Sequence, residues 1–370
     1  MPTPNRPKED RMTLQTAPPT YTPASGFGVQ TPSGLDVDTQ LNLVFVANQT
    51  QSGTVSIIDV SEPNTPSAAP GSPVAVGPYP HEVAVDSSIH AAFIANTGTS
   101  QASGVTVATG DHGSGDNTVS VLVQQNDQWV ALLPPLTAGS EPHGLAVHPG
   151  KQLLFVANQK DNTVSIFDYS TLTKTPPSPP ALVTTIALSA NGANPNPHGI
   201  AVDTTLNQVY VACRQSGQVA VIQLEDGTWT NGTPVQLGAS NQPTGVGVNS
   251  ATGMAYVSVT NIASQDPAYS VAVIDGNNLA GQPATITSAT FDGPDRFAVD
   301  DTNNVVYVSN NNGSTVSVID AANGNAVSAL NVPGDPAPTN STPTELGFIA
   351  LQQCLYVALQ DANQVAILPV

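Results

Sequence analysis

A seven-bladed β-propeller, an all-β ring of four-stranded sheets, is the fold class this sequence predicts, on three observations. A unit made of a proline-containing turn and three apolar strands recurs seven times in 370 residues. Within each copy the strands alternate apolar and polar positions, as half-buried strands do. Only 9% of residues are charged, and Asn, Thr, Ser, Gln, Gly and Pro fill the connections, which suits short strands and polar turns rather than long amphipathic helices.

The copies begin at Pro32 (PSGLDVDTQLNLVFVAN), Pro80 (PHEVAVDSSIHAAFIAN), Pro142 (PHGLAVHPGKQLLFVAN), Pro197 (PHGIAVDTTLNQVYVAC), Pro243 (PTGVGVNSATGMAYVSV), Pro294 (PDRFAVDDTNNVVYVSN) and Pro343 (PTELGFIALQQCLYVAL). They are spaced by 48, 62, 55, 46, 51 and 49 residues. The first strand ends in Asp38, Asp86, Asp203, Asn249 or Asp300, side chains that cap a tight turn. A second strand closes on Val-Ala-Asn or a variant, and a third reads T-V-S-V-I-D or similar. A weaker fourth strand follows, as in SPVAV, ALVTTIAL, TPVQL and NAVSALNV, completing a blade.

The last copy reaches Val370 after three strands (ELGFIA, CLYVAL, QVAILPV), so the ring is expected to close with a strand from the N-terminal side, either FGVQT (27–31) or MTLQT (12–16). Residues 1–26 are expected to be mostly a disordered leader that supplies this strand, and 27–370 a single propeller domain. Cys213 and Cys354 lie at strand edges in distant blades and are expected to be buried free thiols.

Charge excludes some partners. Beyond the first twelve residues the chain holds 5 basic and 25 acidic residues, a net charge of −20 that repels phosphate backbones and anionic lipid, so nucleic acid is not an expected partner. No run approaches the roughly 20 apolar residues of a membrane span, and residues 1–24 contain no apolar core of a secretory signal. The expectation is a monomer, secreted or periplasmic, whose partner is a small molecule, glycan or protein.

In a propeller, connections into the first strands gather on one face with the loops between second and third strands. Insertions fall there: residues 98–116, residues 261–269, and long connections before Pro142, Pro197 and Pro343. Loops that vary on a repeated scaffold carry binding, so this face is expected to be the functional one. After the repeat proline come Ser33, His81, His143, His198, Thr244, Asp295 and Thr344 in turn, so three histidines ring the channel mouth, followed by Thr244, by Asp295 with Arg296, and by Glu345. The predicted ligand-binding set is His81, His143, His198, Thr244, Asp295, Arg296 and Glu345.

Three roles for the histidines stand side by side: bonding the neighbouring blade's backbone, holding a divalent metal such as copper or zinc, or contacting an organic ligand. Blades rotated by about 51° place equivalent atoms about 7 Å from the axis about 6 Å apart, so metal ligation requires three rings to converge. The loop DHGSGDN offers Asp111 and Asp116 to calcium but lacks the full D-x-D-x-D-G spacing, and a flexible loop is the preferred reading. His90 and His148 are expected to be solvated on the opposite face, and Trp129 and Trp229 to pack on neighbouring blades.

The repeats resemble the YVTN family of bacterial propellers, most clearly in VYVSNNNGSTVSVIDAANGNAVSALNVPGDPAP and LFVANQKDNTVSIFDY, over roughly residues 27–370. That resemblance implies the fold. The run PHGLAVHPG (142–150) also resembles the Pro-His turns of lactonase and muconate-cycloisomerase propellers, in which channel-mouth His, Arg and Glu handle a lactone; the counterparts it implies are His143, Arg296 and Glu345. The sequence departs from those families in having Arg296 as its single expected channel arginine. A binding propeller is the first expectation, a lactonase- or lyase-type enzyme the second, and a metal-binding propeller the third.

Overall fold

The computed structural model describes residues 22–24, 26–98, 117–188, 194–263, 267–332 and 342–370. They form seven antiparallel sheets, six running outward in chain order from an inner strand and the seventh taking its outer strand from the N-terminal side. The inner strands are Pro32–Asp38, Pro80–Asp86, Pro142–His148, Pro197–Asp203, Asn241–Asn249, Pro294–Asp300 and Pro343–Ile349. Six of the seven begin at the repeat proline, which suits a position on an edge strand facing the channel, where no ladder donor is needed. The outer strand is split in blades 1 and 4, where two short segments pair in succession with the third strand. Among the described residues no helix is long and apolar enough to cross a membrane.

Turn chemistry follows the sequence reading. Asp38, Asp203, Asn249 and Asp300 each accept two backbone N–H groups of the following turn through Oδ1, and Asp86 accepts that of Ser88. The second-strand asparagines form a clasp. Asn158 Nδ2 donates to Thr163 Oγ1 and Ser165 Oγ, both at 2.9 Å, while its Oδ1 accepts Gly139 N from the incoming connection. Asn48 and Asn310 repeat the pattern, so V-A-N on one strand and T-V-S on the next are two halves of one hydrogen-bonded device.

The core lies between the blades. Seven hydrophobic clusters occupy the seven junctions between neighbouring sheets, each built from the facing sides of two blades. Trp129 meets Phe45 of blade 1 edge-on at 4.9 Å, and Trp229 meets Phe155 of blade 3 at 5.0 Å. Cys213 and Cys354 are free and buried, and burial pushes the Cys213 thiol up to about 12. Because apolar side chains point around the ring rather than at its axis, the axis is left to polar groups.

The ring closes with a strand from the N-terminal side, as expected, but through a different segment. The strand that completes blade 7 is Thr22–Ala24, paired antiparallel with Gln364–Pro369 in the register Thr22↔Ile367 and Ala24↔Val365. Residues 27–31 form no strand; Phe27 and Val29 instead pack into the cluster between blades 1 and 7. Residues 12–16 lie outside the described residues. Closure is reinforced where Gln352 Nε2 of blade 7 donates to Val60 O of blade 1 at 2.7 Å.

The far face is also more tightly bound than expected. His148 is 4% exposed, with Nε2 3.1 Å from Asn207 Oδ1 of the next blade, and His90 Nδ1 lies 2.8 Å from Asp38 Oδ2 of the preceding one. Both histidines stitch neighbouring blades together instead of standing free in water.

Candidate functional site

All seven residues that follow the repeat proline line one cavity of about 450 Å³ at the mouth of the channel. Each sits at the start of an inner strand, so the pseudo-symmetry of the ring converts one repeat position into one circle of side chains. The cavity opens on the insertion-bearing face, and Tyr269, from the segment 261–269, reaches its rim, where its hydroxyl accepts from Asn312 Nδ2 at 2.8 Å. Residues 99–116, with Asp111 and Asp116, and residues 264–266 lie outside the described residues.

The three imidazoles form a column. Ring centroids are 3.8 Å apart between His81 and His143 and 3.9 Å between His143 and His198, with tilts of 45° and 40°. This is closer than the simple sevenfold estimate, because the tilted rings lean toward one another. Among the described residues no group of three or more His, Cys, Asp or Glu is placed to hold a metal ion. The Nδ1 atom of each ring is buried without a hydrogen-bond partner.

Burial keeps all three rings neutral. The His81 imidazole is pulled down to about 3, first by desolvation and then by the Arg296 charge, and those of His143 and His198 are held well below the ordinary histidine range. At neutral pH the column therefore offers uncharged imidazole, able to accept a proton or donate a hydrogen bond.

Part of the ring is committed to structure. Ser33 Oγ donates to Pro80 O and His81 O of the next blade, Thr344 Oγ1 to Pro32 O, and His198 hydrogen-bonds the Thr244 backbone. Of the three histidines, His198 alone is given a bond to the neighbouring blade's backbone, while Ser33 and Thr344 make such bonds from the equivalent position. Thr244 Oγ1 lies 2.8 Å from Ser258 Oγ of its own blade.

Arg296 lines the cavity from below, and its guanidinium is held by acids. Nη1 is 2.8 Å from Glu82 Oε2, while Nε is 3.6 Å from Glu345 Oε2 and 3.8 Å from Asp295 Oδ1. Glu345 is therefore not at the mouth with the other expected residues. It shares with Arg296 the second position after the proline, but it is 6% exposed and, unlike Arg296, does not reach the cavity surface. Four blades carry glycine at that second position, and the spacing explains why: a Cβ on Gly245 would lie 1.7 Å from Asp295 O, and one on Gly144 2.3 Å from His198 O. Inner strands approach backbone to backbone there, leaving the axis free for Glu82, Arg296 and Glu345.

A profile of known proteins described as lactonase, 7-bladed beta-propeller, matches residues 11–326. The chain belongs to this lactonase propeller family. Among solved structures it is similar to hydrazine synthase of Kuenenia stuttgartiensis, with a TM-score of 0.71, 14% identity, and coverage of 93% of this chain and 96% of that one. It is also similar to a catalytically inactive histidine-to-alanine variant of virginiamycin B lyase from Staphylococcus aureus with quinupristin, with a TM-score of 0.64, 12% identity, and coverage of 95% and 99%. A putative 6-phosphogluconolactonase from Bacteroides uniformis gives a TM-score of 0.62 at 15% identity, covering 81% and 85%. At these identities the likeness is one of fold. No curated protein sequence matches.

Within this lactonase-family propeller, sequence reasoning missed two sets of residues. Gln49, Arg214, Thr260, Asn311 and Gln360 line the cavity from equivalent repeat positions at the ends of the second strands of five blades, so Arg214 joins Arg296 as a second cavity arginine. A search for a second in-phase polar position would have found this circle. Glu82, next to His81, belongs with Arg296 and Glu345 at the second position after the repeat proline. Deeper still, Asp36 accepts the N–H groups of Val37 and Val85, each at 2.8 Å, and burial pushes its carboxyl up to about 7.

Proposed function

We propose that the channel-mouth cavity binds a small cyclic ester and opens it by hydrolysis. The observation that carries this reading is the column of three buried, neutral imidazoles standing over Arg296 in a polar cavity of about 450 Å³. Ring opening needs a base for the attacking water and a donor for the carbonyl oxygen. A column imidazole takes the water proton as oxygen adds to the carbonyl carbon, and Arg296 faces the developing oxyanion. The carbon–ring oxygen bond then breaks, and the departing alkoxide takes the proton back, giving a hydroxy acid. Membership of the lactonase propeller family supports this reading.

A binding propeller without chemistry is the second reading. It is favoured by the backbone bonds that occupy Ser33, Thr344 and His198. A panel of lactones and cyclic esters assayed by acid release separates the two. Hydrolysis is expected for at least one ring size, with kcat reduced at least about 100-fold in His143→Gln. Saturable binding of panel members with no acid release would establish the second reading. Location outside the cytoplasm is part of the proposal and rests on the low charge and polar turns.

A further inference from the structure

Three carboxylates surround one guanidinium beneath the cavity, at 2.8, 3.6 and 3.8 Å. Glu82, Glu345 and Arg296 are 7%, 6% and 8% exposed. Were all three acids ionised, this pocket would hold a net charge of −2 inside a chain already at −19. Unpaired buried charge is costly, and like carboxylates in contact relieve that cost by retaining a proton. The geometry says where. Glu82 makes the short contact with Arg296 and is the paired carboxylate, while Asp295 has the most exposed acid side chain of the three, at 20%. Glu345 stands farther from Arg296, and the shared guanidinium brings its carboxyl to the same place as that of Glu82.

We infer that Glu345 is a neutral carboxylic acid at physiological pH, donating its proton to Glu82, and that this pair is a positioning device holding Arg296 at the cavity floor. Glu82 and Glu345 do not line the cavity and act on a ligand only through Arg296. The arrangement resembles two carboxyl groups sharing one proton, with the shared proton fixed by the cation at one end. The other groups acting on the pair are Asp36 of blade 1 and Asp295 of blade 6, while His81, His143 and His198 of blades 2, 3 and 4 face Arg296. The three imidazoles are uncharged, so Arg296 is the cation the pair answers to. Both carboxyls are driven upward, first by burial. The inference concerns what supports the site and holds whichever ester is opened.

Infrared spectroscopy of the whole chain tests it through the C=O stretch of a protonated carboxylic acid, which ionised carboxylates lack. At about pH 8.5, Asp36, raised to about 7, and Asp301, raised to about 6, are ionised, so a band that remains belongs to the pair. The band is expected in the wild type, retained in Asp36→Asn and lost in Glu345→Gln. The amide in Glu345→Gln still donates to Glu82, so this variant is expected to melt within about 2 °C of wild type, whereas Glu82→Gln melts at least about 5 °C lower. Absence of the band in wild type, its survival in Glu345→Gln, or equal melting losses in both variants would overturn the inference. If Glu82→Gln fails to fold, the wild-type band and its loss in Glu345→Gln decide the matter alone.

Discussion

Arg296 Nη1 and Glu82 Oε2 meet at 2.8 Å across the axis of the propeller, joining blade 6 to blade 2. Counting either way round the ring, these blades are three and four steps apart, the greatest separation seven blades allow. The pair therefore ties together parts of the ring that share no junction, and it gives the cavity its floor.

Breaking that tie by Arg296→Met leaves Glu82, Glu345 and Asp295 without their cation. Chemical denaturation is expected to show a loss of about 3–5 kcal/mol, as for a buried ion pair with one partner removed. The control is Arg214→Met at the exposed rim, expected within about 0.5 kcal/mol of wild type. Similar losses in the two variants would refute the distinction.

The buried imidazoles make the fold sensitive to acid. Their folded pKa values lie below the unfolded value of 6.5, so as pH falls below that value the unfolded chain takes up protons that the native chain does not, and stability declines. His143→Gln removes one such proton. It is expected to flatten the pH dependence of unfolding by about 1.4 kcal/mol per pH unit below about pH 6. Parallel curves for mutant and wild type would show that His143 titrates normally.

Asn158→Ala dismantles a clasp, leaving the Thr163 and Ser165 hydroxyls and the Gly139 N–H short of a partner. The expected cost in equilibrium unfolding is about 1–3 kcal/mol. The corresponding residue in blade 7 is Leu359, which makes no such bonds, so Leu359→Asn is not expected to recover that energy.

Gly245→Ala tests the close approach of inner strands. The added methyl would stand 1.7 Å from Asp295 O, too near for any rotamer to relieve, so the blades have to separate. A loss above about 2 kcal/mol is expected, together with a weakened column and floor; a stabilised variant would contradict the packing described.

Much of this architecture was legible in the chain. Seven in-phase prolines predict the blades, Asp38, Asp203 and Asp300 predict their turns, and the residue after each proline predicts the circle around the cavity. What escaped was set by geometry that no repeat unit contains. The closing strand Thr22–Ala24 is three residues long and includes a proline, so it has no alternation to detect, whereas FGVQT looked strand-like and supplies Phe27 and Val29 to a core instead. The stacking of His81, His143 and His198 depends on how far each ring leans from its strand. Glu82 shares with Arg296 and Glu345 a repeat position that reads Gly in the other four blades, but its meeting with Arg296 across the axis is set by the closed ring and not by any one copy.

The pairing of Thr22–Ala24 with Gln364–Pro369 also sets how the ring yields to force. With Thr22 opposite Ile367 and Ala24 opposite Val365, the chain enters and leaves this sheet at the same end. Tension applied through the two ends loads the ladder one rung at a time, peeling it like a zipper instead of shearing all rungs together. Mechanical opening should therefore start at blade 7 at low load, and tethering through blades 2 and 6 should meet far greater resistance.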